Sequence, residues 1–171
     1  MTFGEGAEFN MPKLIVSRLL WMSCFLVILL AGLAAAGTGC GSGNGVKDAL
    51  DQHRERWADQ DIDSYRYELQ VVCFCPPEAT GPVLVIVRDG ITDSVLYVAN
   101  GNTPEQPYFE RYDTIEDLFL VIDDALDQEA HEIDVTYDET LGFPTRIAID
   151  FIEAAIDDEV TYTISRFQAF E

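Results

Sequence analysis

Tyr65-Arg66-Tyr67-Glu68-Leu69-Gln70-Val71-Val72-Cys73-Phe74-Cys75 decides the fold class. Tyr65, Tyr67, Leu69, Val71, Cys73 and Cys75 alternate with Arg66, Glu68 and Gln70. A period of two sends apolar side chains to one face and polar ones to the other, so the stretch predicts a strand with one face on a core. Pro76 and Pro77 end it. Downstream, Val83 to Arg88 and Ile91 to Val98 read as two more strands. Asp89-Gly90 joins them as a tight hairpin, because both residue types tolerate the positive φ of a two-residue turn. Upstream, Val46, Leu50, His53 and Trp57 recur at helical spacing, with Asn44 as the expected N-cap and Asp59 to Asp63 as the break.

The second half repeats the order. Asn100 to Pro107 reads as a loop; Thr114 then caps a helix, with Asp117 three residues on in a near capping box. Ile115, Leu118, Phe119, Ile122 and Leu126 share one face of that helix. Ile133, Val135 and Tyr137 alternate through a strand that turns at Gly142-Phe143-Pro144. Thr145 to Phe151 and Val160 to Phe167 complete the set, separated by an acidic excursion from Asp150 to Glu159. A sheet with one apolar face must be covered, so the expectation is α+β: an antiparallel sheet with helices packed on one face, in an αβββ-αβββ pseudo-repeat.

In front of this domain, Leu19 to Ala36 is apolar and uncharged, with Lys13 and Arg18 before it. Basic, apolar and small-residue regions in that order make a secretory signal. Glu5 and Glu8 are foreign to such a leader, and Met11 begins a tidier one. The run ends in Gly37-Thr38-Gly39-Cys40, which resembles the lipobox of bacterial lipoproteins. The resemblance implies a signal peptide over 1–39, a lipid anchor on Cys40, a flexible tether over 40–45 and one acidic domain over 46–171. Two other readings stand beside it: an uncleaved membrane anchor, since eighteen apolar residues can span a bilayer, and an ordinary secreted product. All three put the domain outside the cytoplasm, in or beyond the cell envelope.

Of 171 residues, 31 are acidic and 10 basic, for a formal net charge of −21. That balance excludes a nucleic-acid partner, since nothing would neutralise phosphates. It also repels anionic membrane surfaces, which leaves attachment to a segment or a lipid. With 48% apolar residues the chain can still build a core.

Trp57, Ile62, Tyr65-Arg66-Tyr67, Cys73-Phe74-Cys75 and the Val85 to Ile91 hairpin form an ordered set with Thr114 to Phe119. Tyr137-Asp138, Gly142-Phe143-Pro144, Ile149-Asp150, Asp158-Glu159 and Tyr162-Thr163-Ile164 continue it. Over residues 55–168 this set resembles the DUF6174 family of bacterial lipoproteins of unknown function. The resemblance implies an exported, lipid-anchored domain without known chemistry. The αβββ outline is also similar to PepSY and beta-lactamase-inhibitor modules, which act mainly by binding.

Several residues invite chemistry. Cys73 and Cys75 project from one face of a strand, and an oxidising compartment favours a disulfide between them. Their α-carbons would stand about 6.6 Å apart in a flat strand, near the upper limit for a bridge. A structural crosslink is the leading expectation, beside an exchanging disulfide and two free thiols. His53, His131, Cys73 and Cys75 lack a compact zinc spacing. Asp134, Asp138, Asp150, Glu153 and Asp157 to Glu159 are calcium-type oxygens, but no Asp-x-Asp-x-Asp-Gly loop holds them, so solvated turn acids are expected and no metal. There is no nucleophile elbow, His-Glu-x-x-His or phosphate loop, and only two histidines. No catalytic residue and no cofactor are expected. Tyr65, Tyr67, Tyr137, Tyr162 and Phe167 read as core, whereas Tyr97, Tyr108, Phe109 and Tyr112 lie near loops and form the expected recognition patch. The expected function is therefore a non-enzymatic envelope lipoprotein that binds a protein, peptide or cell-wall component. A thiol-active or calcium-dependent accessory factor is the alternative.

Overall fold

The computed structural model describes residues 43–155 and 157–170. The leader and Cys40 lie outside the described residues. The elements follow as α1 (Gly43–Ala58), β1 (Tyr65–Cys73), β2 (Val83–Arg88), β3 (Ile91–Tyr97), α2 (Ile115–Asp127), β4 (Glu132–Tyr137), β5 (Pro144–Asp150) and β6 (Val160–Ala169). A 3-10 turn at Pro77–Ala79 links β1 to β2.

The six strands form one sheet in the order β3-β2-β1-β6-β5-β4, with every neighbouring pair antiparallel. The expected α+β class with an antiparallel sheet is what the chain adopts. Element order repeats as αβββ, yet β1 is an inner strand and β4 an edge strand. Three antiparallel steps separate them, so they also run in opposite directions.

Alternation sorts the two faces. Tyr65, Tyr67, Leu69 and Val71 of β1 are buried with Val83, Val85 and Val87 of β2, Ile147 and Ile149 of β5 and Ile164 of β6. Leu50 and Trp57 of α1 and Ile115, Leu118, Phe119, Ile122 and Ala125 of α2 close over them. The opposite face carries Arg66, Glu68 and Gln70, and no helix among the described residues packs on it.

Local signals act where they were expected. Thr114 accepts from the Asp117 N–H (3.0 Å) and donates to its carboxylate (2.6 Å), so the cap is reciprocal. Asp89 and Gly90 both take positive φ, 51° and 73°. The Asn44 cap is a correction: α1 already begins at Gly43, which puts Asn44 inside the first turn.

A polar clamp joins the helices to β1. The Tyr65 hydroxyl accepts from the Ile115 N–H (2.9 Å), an amide that the first turn of α2 leaves without a helical partner. That hydroxyl donates to Glu116 (3.1 Å), whose other oxygen accepts from Trp57 Nε1 (2.8 Å). The β4–β5 turn tucks beneath α1. At Gly142, with φ of +90°, an added Cβ would meet the His53 carbonyl oxygen at 2.6 Å and the Trp57 nitrogen at 3.0 Å.

Gly142→Ala therefore lowers unfolding free energy by roughly 2–4 kcal/mol, from the positive φ and the forced displacement of α1 together. Gly90→Asn, in open space, changes it by less than about 1 kcal/mol. Urea midpoints of the two variants check both; equal midpoints would remove the close approach as a cause.

Candidate functional site

At the far end of β1 the pairing with β6 stops at Cys73 opposite Val160. Cys73 and Cys75 are joined by a disulfide, with α-carbons 5.3 Å apart. The contraction from the flat-strand separation bends the chain into the Pro76-Pro77 turn, where Gln70 Nε2 donates to the Thr80 carbonyl (2.8 Å). Between the cysteines, Phe74 is 82% exposed.

The four loop aromatics do come together, but not as an exposed patch. Phe109 is 2% exposed and belongs to the core, with the Tyr97 and Tyr112 rings 6.4 and 6.1 Å from its own. The Tyr97 hydroxyl donates to the Glu78 carbonyl (2.7 Å) and that of Tyr112 to the Tyr108 carbonyl. The recognition-patch expectation is corrected at Phe109: this residue is buried in the core, edge-on to Tyr97 of β3, and pins the loop there. Apolar residues flanking a loop are as useful for pinning it as for contacting a partner.

The zinc set is not assembled. Cys73 and Cys75 are used up in the bridge, and His131 is exposed. His53 is half-buried and stacks on Tyr137, with ring centroids 4.0 Å apart and planes within 3°. The acids are dispersed: Asp134 pairs with Arg146 (2.7 Å), Asp138 accepts from the Thr140 and Leu141 amides, and Asp150 accepts from that of Ile152. Asp158 has both oxygens withdrawn from solvent without a hydrogen-bond partner among the described residues. Among the described residues, no three metal-ligating side chains converge.

What the structure does build is a groove on the helix side. α1, α2 and the loop before α2 cover the inner face incompletely, leaving an open groove of about 580 Å³ along α2 at the β5–β6 end. Its floor is aromatic: Tyr112 and Tyr162 meet edge to face at 5.0 Å beside Phe151 and Val160. Leu120 and Val121 of α2 form a wall, and Glu110, Asp117, Asp124 and Arg111 form the rim. Arg111 pairs with Asp124 (3.2 Å), leaving the rim net negative. Burial, with the Tyr112 phenol beside it, pushes the Tyr162 phenol up to about 12, so it is neutral and a hydrogen-bond donor at ordinary pH. Size, apolar floor and a few polar groups are what a ligand site needs. In the sequence Tyr162 reads as core, because the loop that uncovers it is distant in the chain. The available signal was Leu120, an apolar residue off the Ile115-Leu118-Phe119-Ile122 stripe.

These features define a two-layer α+β domain with a lined groove and a disulfide corner. A family model described as a family of unknown function (DUF6174) matches residues 49–169, and the chain belongs to that family. Comparison with curated proteins gives no match, and comparison with solved structures gives none.

Two measurements follow from the site residues. Replacing Cys73 and Cys75 together by Ala costs about 1–2 kcal/mol in urea unfolding, since so short a closed loop restrains the unfolded chain little. A loss of the whole fold would contradict that. For His53, burial lowers its pKa from the ordinary value, with Arg56 adding to the shift. The unfolded chain then binds the proton more readily, so this contribution to stability is present above the ordinary histidine pKa and is lost as pH falls from there through the lowered folded value. His53→Phe flattens the stability profile between about pH 7 and 5; an unchanged profile would assign the loss to other groups.

Proposed function

We propose that the domain is a non-catalytic, lipid-anchored binding module of a bacterial envelope, and that its groove holds a peptide segment combining apolar and basic side chains. The carrying observation is the pairing of the aromatic Tyr112–Tyr162 floor with a rim of three carboxylates and one guanidinium. Apolar side chains of a ligand lose water against the floor, and a lysine or arginine meets Asp117 or Asp124 at the edge. Leu19 to Ala36 and the Gly37-Thr38-Gly39-Cys40 sequence support the anchor. No described helix is long and apolar enough to cross a membrane.

Selection of displayed peptides on the purified protein enriches sequences with Lys or Arg beside Leu, Val or Phe. Asp124→Lys weakens a selected peptide about three- to tenfold, roughly 0.7–1.4 kcal/mol, and high salt shrinks the difference. Enrichment of acidic peptides, binding of glycan strands in their place, or indifference to Asp124→Lys would overturn the peptide reading. The intact mass of the protein matured in a lipoprotein-processing bacterium tests the anchor separately: acyl chains on an N-terminal Cys40 support it, and an uncleaved chain sinks it.

A further inference from the structure

We propose that the end of the sheet bearing Phe74 is a membrane-contacting tip that rests on the neutral phospholipid interface; this rests on the anchor at Cys40. Register places the parts. Cys73 pairs with Val160, Val160 with Ile149, and Asp150 with Glu132. The last residues of β1 and β5 and the first of β6 and β4 therefore share one end of the sheet.

The apolar exposure is concentrated there. Val72 is 60% exposed, Phe74 82% and Ile152 60%, half of the large hydrophobic side chains exposed among the described residues. Val98 lies at the same end, set back where its N–H bonds the Pro82 carbonyl (3.0 Å). The opposite end presents Ile91 next to the charged Arg88-Asp89 turn. The Cys73–Cys75 bridge closes a three-residue loop around Phe74, which holds that ring outward and limits its return to the core.

The chain enters α1 at this same end. Val46 lines a cleft with Ala130, His131, Glu132 and Ile133, at the start of β4. Gly43 is less than one helical turn from Val46. Cys40 precedes Gly43 by three residues, a reach of at most about 10 Å even when fully extended. An acyl chain on Cys40 thus pins the domain by the end that carries its exposed apolar side chains, and these are suited to the headgroup boundary. Glu153, Asp157 and Glu159 are at that end too and repel anionic headgroups, so the lipid is zwitterionic.

The test uses full-length protein matured in a lipoprotein-processing bacterium, with acylation read from intact mass, reconstituted in phosphatidylcholine vesicles with brominated acyl chains. Phe74→Trp and Ile91→Trp place a reporter at either end; Trp57 is buried and supplies a constant background. The expected result is quenching and a blue shift for Phe74→Trp and neither for Ile91→Trp. Acylated protein with an unquenched Trp at position 74, or equal quenching at both ends, overturns the tip while leaving the anchor intact. Protein without acyl chains overturns the anchor and the tip with it.

Discussion

Everything in this domain hangs on the pairing of β1 with β6. β1-β2-β3 and β6-β5-β4 are each three-stranded meanders, and the β1–β6 ladder alone makes them one sheet. Its partners are about a hundred residues apart, so its closure entropy falls due before it gains the core that both meanders share. The Tyr65 clamp sits at one end of that ladder, and the disulfide at the other. Register at the joint therefore fixes where α1 and α2 can lie and which side chains end at the exposed corner.

The ladder contains one irregularity with a clear purpose. Arg66 pairs with Gln168 but Glu68 with Ser165, so Arg166 and Phe167 together face Tyr67. Arg166 takes a φ of 53°, the mark of a bulge. The extra residue switches the inward parity of β6 from Val160, Tyr162 and Ile164 to Phe167. Phe167 then stacks on Phe143 at 4.5 Å and on Tyr65 at 5.5 Å, with Trp57 edge-on at 5.7 Å. Without the bulge the ring would point to the uncovered face, and the aromatic cluster under α1 would lose its centre.

This helps to explain what could be read from the chain. The strands, the Asp89-Gly90 hairpin, the Thr114 cap and the one-sided helices are local patterns with periods of two or 3.6, and each was legible. The step from Ile164 to Phe167 also broke the period of two, a bulge signal visible in the sequence. Phe109 and the groove were not legible, because both depend on where a long loop lands relative to α2. Its own residues do not encode that position; Phe109 finds it by entering the core beside Tyr97 of β3. Asn44 misled for the opposite reason, since a good local cap does not prevent a helix from starting earlier.

Charge gives the groove and the tip a common logic. Most cations with resolved partners are already committed to carboxylates: Arg54 and Lys47 to Asp123, Arg146 to Asp134, Arg166 to Glu68 and Arg111 to Asp124. The surplus acid sets the surface potential, which attracts basic segments and keeps anionic lipid at a distance. Phe151 and Val160, on the groove floor, lie at the sheet end that carries Phe74. Were that end to rest on a membrane as proposed, the groove would open beside the headgroups. If the module is tethered as proposed, it would meet peptide segments held at the same membrane at high local concentration. On that proposal modest affinity in the groove would suffice, because an anchor of that kind would hold both partners at one surface.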